Sequence, residues 1–287
     1  MAIHPSSGNA PAGGWLQRLV KAEPQEIPAL LWAFSYFFAL LCAYYIVRPM
    51  RDEMGIAGGV EHLQWLFTGT FVTMLAAVPL FGWVTSRFSR QQFLPMVYGF
   101  FIANLLIFFL LFRSGLTQVW VARAFFIWAS VFNLFIVSVF WSFMADLFND
   151  AQARRLFGFI AAGGTTGALA GPALTASLAI PLGPTNLLLI SAAGLGWAIL
   201  CIRRLGAWRD SQGPGSPASD RATAAAPGID QNASLGGGAQ AALPLIVRSP
   251  YLLGVCLLIP FYTTLSTFLY FQQAQIVRDS FADPAQR

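Results

Sequence analysis

An all-α, polytopic membrane fold is what this chain predicts, and three observations carry the expectation. Apolar residues make up 56% of the 287 positions and charged residues only 10%, whereas an ordinary soluble domain is about 25% charged. The apolar residues fall in blocks of roughly 20, the length of helix that crosses about 30 Å of hydrocarbon. Arginine and lysine, finally, alternate between the ends of those blocks instead of gathering in one patch. Seven spans are expected, at 28–47, 63–84, 93–112, 119–147, 156–178, 185–202 and 251–271.

The alternation also sets an orientation. Arg18, Lys21, Arg87, Arg90, Arg154, Arg155, Arg203, Arg204, Arg209, Arg221 and Arg248 fall on one side of the first six spans, and Arg48, Arg51 and Arg113 on the other. The positive-inside rule then puts the N-terminus in the cytoplasm and the protein in a cell inner membrane. The net charge of +5 is thereby a topology signal, and a nucleic-acid partner is not expected; the membrane lipid is. No cleavage site of small residues follows the first apolar block, so that span is expected to stay in the mature chain. Cys42, Cys201 and Cys256 lie within spans at spacings that suit neither disulfides nor a metal site. The two histidines, His4 and His62, fall outside the spans, and no nucleophile–base pair is apparent. Neither an enzyme nor a cofactor is expected.

Taken in order, residues 1–27 form a cytoplasmic tail. Its first 14 residues are rich in Ala, Gly, Pro and Ser and are expected to be disordered. Trp15, Leu16, Leu19 and Val20 alternate with Arg18 and Lys21, which fits a short interfacial helix or an aromatic anchor on a frayed tail. Residues 28–202 make a bundle of six spans. The first ends in YYIVRPMRDE, where Tyr44, Arg48 and Arg51 come round to one side of a helix. Two readings stand for these arginines: snorkelling to headgroups, or, beside Asp52 and Glu53, an anion-attracting vestibule. The third span has Asn104 as its strongly polar residue. The fourth opens with Arg123, about one turn inside the helix, where snorkelling accounts for it. Ser130, Asn133, Ser138 and Ser142 either line a wet path or bond to neighbouring helices.

Between the fourth and fifth spans runs FWSFMADLFNDAQARRLFGFIAAGGTTGALAGP, residues 140–172. Gly158, Gly167 and Gly171 fall on a regular spacing, and from Gly163 onward small residues recur every fourth place, which leaves one helix face nearly bare and in lipid invites close approach of another helix. The GGTTG run lacks the Gly-Lys-Ser/Thr ending of a phosphate loop and sits in an apolar helix, which excludes an ATPase. Residues 203–247, dense in Gly, Ala, Pro and Ser, read as a flexible cytoplasmic linker. In 248–287 the seventh span is the most polar, with Tyr262, Thr263, Thr264, Ser266, Thr267, Tyr270, Gln272 and Gln273, as a path-lining helix would be.

Several of these stretches resemble a known family. The loop GWVTSRFSRQQ at 82–92 is similar to the turn between the second and third helices of the major facilitator superfamily, with Gly82, Arg87, Phe88 and Arg90 matching in place. Ser86 and Ser89 stand where that family usually has aspartate and glycine. Arg154, Arg155, Gly158 and the Gly167–Gly171–Pro172 run resemble its fourth-to-fifth-helix turn and the fifth-helix glycine motif associated with exchangers, while Thr175 and Ala176 replace a terminal glycine pair. Six spans, a long linker and a new span are how two halves of such a transporter are joined. The resemblance covers 15–273 and implies the six-helix N-terminal half of a major facilitator fold plus a seventh transmembrane helix, with the rest of the C-terminal half missing from the chain. It assigns gating roles to Gly82, Arg87, Arg90, Asp146, Arg154, Arg155, Gly158, Gly167, Gly171 and Pro172.

Within the superfamily, residues 46–52 and 140–159 resemble the ATP/ADP translocases of plastids and intracellular bacteria. Arg51 then occupies the second basic position of span one, implicated in nucleotide binding, and Asp52 that of its aspartate. A guanidinium suits bidentate contact with phosphate. Where that branch has a glutamate early in span four, this chain has Ile127, Trp128 and Ala129. The expected function is alternating-access exchange of an organic or phosphorylated anion, nucleotides among them, bound by Arg48, Arg51, Asp52, Tyr44, Asn133 and Gln272. The alternative is a non-transporting membrane scaffold, or a half that needs a partner chain.

Overall fold

A computed structural model describes residues 20, 22–59, 62–87, 90–115, 119–211 and 250–280, the side chains of 78, 80–92 and 252 excepted. The described chain is helical from end to end: α1 (Ile27–Ala57), α2 (Leu63–Arg87), α3 (Arg90–Arg113), α4 (Val119–Leu147), α5 (Asp150–Leu182), α6 (Leu187–Ser211) and α7 (Pro250–Ser280). Six of these helices are long and apolar enough to cross a membrane; the described apolar part of α2 is shorter, Leu63–Ala77. The protein is therefore an all-α, polytopic membrane protein. The expected span 63–84 lies within α2, and its remainder falls outside the described side chains.

Local chemistry sets the helix ends. Pro28 opens α1, where a missing N–H costs nothing. Asn149 caps α5 through a reciprocal pair of bonds with Gln152. Gly183, at φ 81°, turns the chain from α5 towards α6, a conformation that favours glycine. At the end of α1, Arg123 of α4 reaches across and donates from Nη2 to the Gly58 carbonyl at 3.1 Å. A carbonyl near a helix C-terminus is a natural partner for a cation. Its place here joins α1 to α4, where the sequence suggests snorkelling.

Successive helices alternate in direction, and α1 is the hub. It packs on α4, α5 and α6. Phe37 stacks on Phe140 of α4 at 4.2 Å, and the Tyr36 hydroxyl meets that of Tyr98 of α3 at 2.6 Å in the buried core. Ser191 of α6 donates to the Ala43 carbonyl at 2.9 Å. Each of these bonds satisfies a polar group that hydrocarbon would leave orphaned.

The bare face of α5 meets α1. A Cβ placed on Gly163 would lie 2.5 Å from the Phe34 carbonyl oxygen, and one on Gly171 would lie 2.6 Å from Tyr45 Cβ and 2.9 Å from the Cys42 oxygen. On Gly167 it would run into the backbone of Phe38 and Cys42. Gly158 differs: among the described residues nothing comes within 4 Å of a Cβ there. It lies on the exposed side of α5.

Where the chain enters α1, Glu26 is buried at 4% exposure. Its Oε1 accepts from Gln152 Nε2 at 2.8 Å and Arg155 Nη2 at 3.1 Å, and its Oε2 from the Glu23 N–H at 2.9 Å. Beside it, Trp208 Nε1 donates to the Gln25 carbonyl at 3.0 Å. That bond, the buried Leu205 and the Trp208–Phe148 ring contact hold α6 helical to Ser211, well past the expected end of its span at 202. Glu26→Ala removes three hydrogen bonds to a buried charge, one of them from Arg155. Because Arg155 is 31% exposed and rehydrates, the loss falls below that of a fully buried broken pair, at about 2 kcal/mol. A lower thermal midpoint in detergent, with Glu26→Gln falling less, is the expected result.

Candidate functional site

The opposite end of α1 carries its charged residues. Arg51 and Asp52 are neighbours in sequence, and the guanidinium folds back so that Nη2 and Nε donate to Asp52 Oδ1 at 2.7 and 3.1 Å. The Arg51 side chain is 15% exposed and that of Asp52 35%. Arg51 is held from its other side by Phe126 of α4, whose ring centroid lies 5.0 Å from Cζ. Such a contact contributes about 1 kcal/mol or more once desolvated. The same Asp52 oxygen accepts a third bond, from the Tyr270 hydroxyl of α7 at 3.0 Å.

That bond ties α7 to the bundle. Tyr270 and Phe271 also close on Phe67 of α2 at 5.5 and 5.4 Å, and Ala274 is buried there. Over the rest of its length α7 is exposed, and none of its most apolar window is buried inside the protein. In the membrane that surface faces lipid or further helices.

Beside the Asp52 cluster opens a recess of about 380 Å³ between α1, α5 and α7. Its polar wall is made by Tyr45, Arg48, Asp52, Glu53, Tyr270 and Gln273, and Pro172 closes one side. The Arg48 guanidinium lies 5.5 Å over the Tyr45 ring and has no ion pair among the described residues. The volume is that of a small-molecule site, about 300–1,000 Å³.

The structure thus brings Arg48, Asp52 and Pro172 to the recess, holds Arg51 behind Asp52 and off the lining, and separates the others. Tyr44 is buried beside the recess, against Tyr45 and Phe132, and does not line it. Tyr45, one position on, takes the lining role. On α7 it is Gln273 that lines the recess, while Gln272 is exposed. Asn133 is half-buried on α4, two turns along from Phe126 and outside the lining. Asp146, Arg154 and Arg155 belong to the Glu26 end; from Arg155 to Pro172 is 17 residues of helix, about 25 Å. Gly82 and Arg87 fall in the last turns of α2 and Arg90 begins α3, but their side chains lie outside the described residues, as do Phe88 and Ser89 altogether. So do the linker from 212 to 247 and the tail up to 19.

Phe126 and Tyr45 carry no signal in the sequence that would single them out. Phe126 is one of many apolar residues of its span, and Tyr45 shares its letter with the neighbour that the spacing favours. Among the described residues no group of three or more His, Cys, Asp or Glu is placed to hold a metal ion. Comparison with family models, curated proteins and solved structures finds no match to this chain.

Proposed function

We propose that the chain forms the N-terminal half, with the seventh helix, of a major-facilitator-type secondary transporter that exchanges an organic or phosphorylated anion by alternating access. The N-terminus and the Glu26 end face the cytoplasm of a cell whose inner membrane the protein occupies, as the distribution of arginine suggests. The observation that carries this reading is the Arg51–Asp52–Tyr270 cluster at the edge of a recess that also holds Arg48. In it a cation suited to phosphate is held by an internal carboxylate, and that carboxylate also fastens a helix that little else attaches. An incoming anion competes with Asp52 for Arg51. As Asp52 turns away it releases Tyr270, so that binding and movement of α7 are linked through one oxygen atom. The resemblance of the 46–52 and 140–159 stretches to ATP/ADP translocases puts nucleotides among the anions to try.

Counterflow of radiolabelled ADP and of inorganic phosphate, by the product of the complete reading frame in liposomes, tests the reading. Exchange that falls by about tenfold or more in Arg51→Ala supports it. Exchange by the parent protein that Arg51→Ala leaves unchanged removes Arg51 from the site, and a parent that exchanges no organic or phosphorylated anion favours the scaffold.

A further inference from the structure

Arg51 stands off the recess lining, and an aromatic seat keeps it there. Its guanidinium carbon lies 5.0 Å from the ring centroid of Phe126 of α4, a side chain 1% exposed. Gly55, one turn after Arg51 on α1, makes the room for that ring: a Cβ on it would lie 3.0 Å from Phe126 Cε2 and 3.2 Å from Leu63 Cδ2. Phe67 of α2 packs on the same ring with centroids 5.8 Å apart, and the buried Leu63 and Leu66 belong to the same cluster. Phe126 is thus fixed by α1 and α2 as well as by its own helix, and it has little freedom to follow a moving guanidinium.

Asp52 and Phe126 hold the cation by different physics, and an anion can replace only one of them. A carboxylate competes with an incoming negative group charge for charge. An aromatic face attracts a cation through its quadrupole and carries no net charge for the anion to displace. When Asp52 gives way, Arg51 still has the ring. We propose that Phe126, seated by Gly55, is the positioning residue of the anion site. It keeps Arg51 in its present place, so that the ligand's anionic group enters the position of the displaced carboxylate and does not draw the guanidinium out into the recess. This role rests on the reading of Arg51 as the anion's ligand. Arginine's long stem carries many rotamers, and without the ring the anion itself has to order them, which weakens binding. A cation–aromatic contact of this kind, once desolvated, corresponds to about tenfold or more in affinity.

Half-saturation and maximal rate of counterflow test the role, measured with radiolabelled ADP and inorganic phosphate in liposomes that hold the product of the complete reading frame. Phe126→Leu keeps an apolar side chain and loses the ring face. Its half-saturation is expected to rise about tenfold while the maximal rate changes little. Phe126→Tyr keeps the face and is expected to restore the half-saturation of the parent. Gly55→Ala pushes the ring aside by a few tenths of an ångström; it is expected to act in the same direction by less, and it serves if Phe126→Leu misfolds. In the Arg51→Ala background Phe126→Leu is expected to add nothing, because the two residues act as one unit. If Phe126 serves packing alone, thermal midpoint and maximal rate fall while half-saturation stays at the parent value in Phe126→Leu and Gly55→Ala. That result overturns the assignment and leaves Arg51 in its role. A half-saturation that Arg51→Ala leaves unchanged, or a parent that exchanges no organic or phosphorylated anion, removes the anion site and the role of Phe126 together.

Discussion

Gly167→Leu is expected to leave no monodisperse protein after extraction in detergent, although the substitution makes the segment more hydrophobic and a better helix former. The usual ledger points the other way. A glycine inside a helix costs about 1 kcal/mol relative to alanine, and leucine adds apolar surface where lipid is the solvent. What decides the outcome is the neighbour. Even one added carbon would run into the backbone of Phe38 and Cys42, and backbone cannot turn aside as a side chain does. The helices would have to separate along a contact that also includes Gly163, Gly164 and Gly171. Overpacking in a well-packed core costs about 1–3 kcal/mol, and prising apart the most extensive helix pair of the fold costs more. Gly158→Leu is the control. With nothing within 4 Å among the described residues, it is expected to give the size-exclusion profile and thermal midpoint of the parent. Equal behaviour of the two variants would mean that α5 does not rest on α1 through this face.

That contrast shows what a sequence can reveal about such a fold. Small residues every fourth place announce a close approach, because only the bare faces of helices come so near in lipid. They do not say which helix arrives, or where the contact starts. Gly158 stands nine residues before Gly167, which is half a turn out of phase, so it falls on the far side of α5 while Gly167 and Gly171 share a face. Span lengths and the all-α class were legible for a simpler reason: hydrocarbon thickness and the need to satisfy every backbone group leave few choices. The end of α6 was not, because Arg203 and Arg204 mark where the chain leaves the hydrocarbon, whereas Leu205 and Trp208 keep it helical through contacts made outside it.

The recess was legible only in part, and for a physical reason. Periodicity along one helix groups Tyr44, Arg48 and Arg51 on roughly one side. Contacts with other helices then sort that side more finely than the 100° step per residue can. Tyr44 turns into the core against Phe132, Tyr45 reaches the recess, and Arg51 lodges over Phe126. Nothing within the first span specifies that an aromatic ring 75 positions later will meet its guanidinium. Asn133 and Gln272 are polar for their helices, but the packing sets both of them off the recess wall.

Asp52→Asn is the second large effect, and its sign separates an anion site from a structural ion pair. The substitution keeps the size of the side chain and an oxygen that accepts from Arg51 and Tyr270, and it removes one negative charge. Two unit charges about 4 Å apart interact by about 4 kcal/mol at an effective dielectric of 20. With Asp52 35% exposed, solvent screening leaves a fraction of that, about 1–2 kcal/mol. If Arg51 is the anion's ligand, removing its internal competitor tightens anion binding by about tenfold. The same change slows exchange, because the bound anion is held as firmly on release as on arrival. Half-saturation and maximal rate are therefore expected to fall together, and Arg51→Ala in the Asp52→Asn background to abolish the gain in affinity. If Arg51–Asp52 serves only to fasten α1 and α7, the result is different: affinity is unchanged or weaker, the thermal midpoint drops, and Tyr270→Phe reproduces the loss. Measuring saturation of counterflow alongside thermal stability for these variants distinguishes the two, since only an anion held by Arg51 loses the gain in affinity when Arg51→Ala is added to Asp52→Asn.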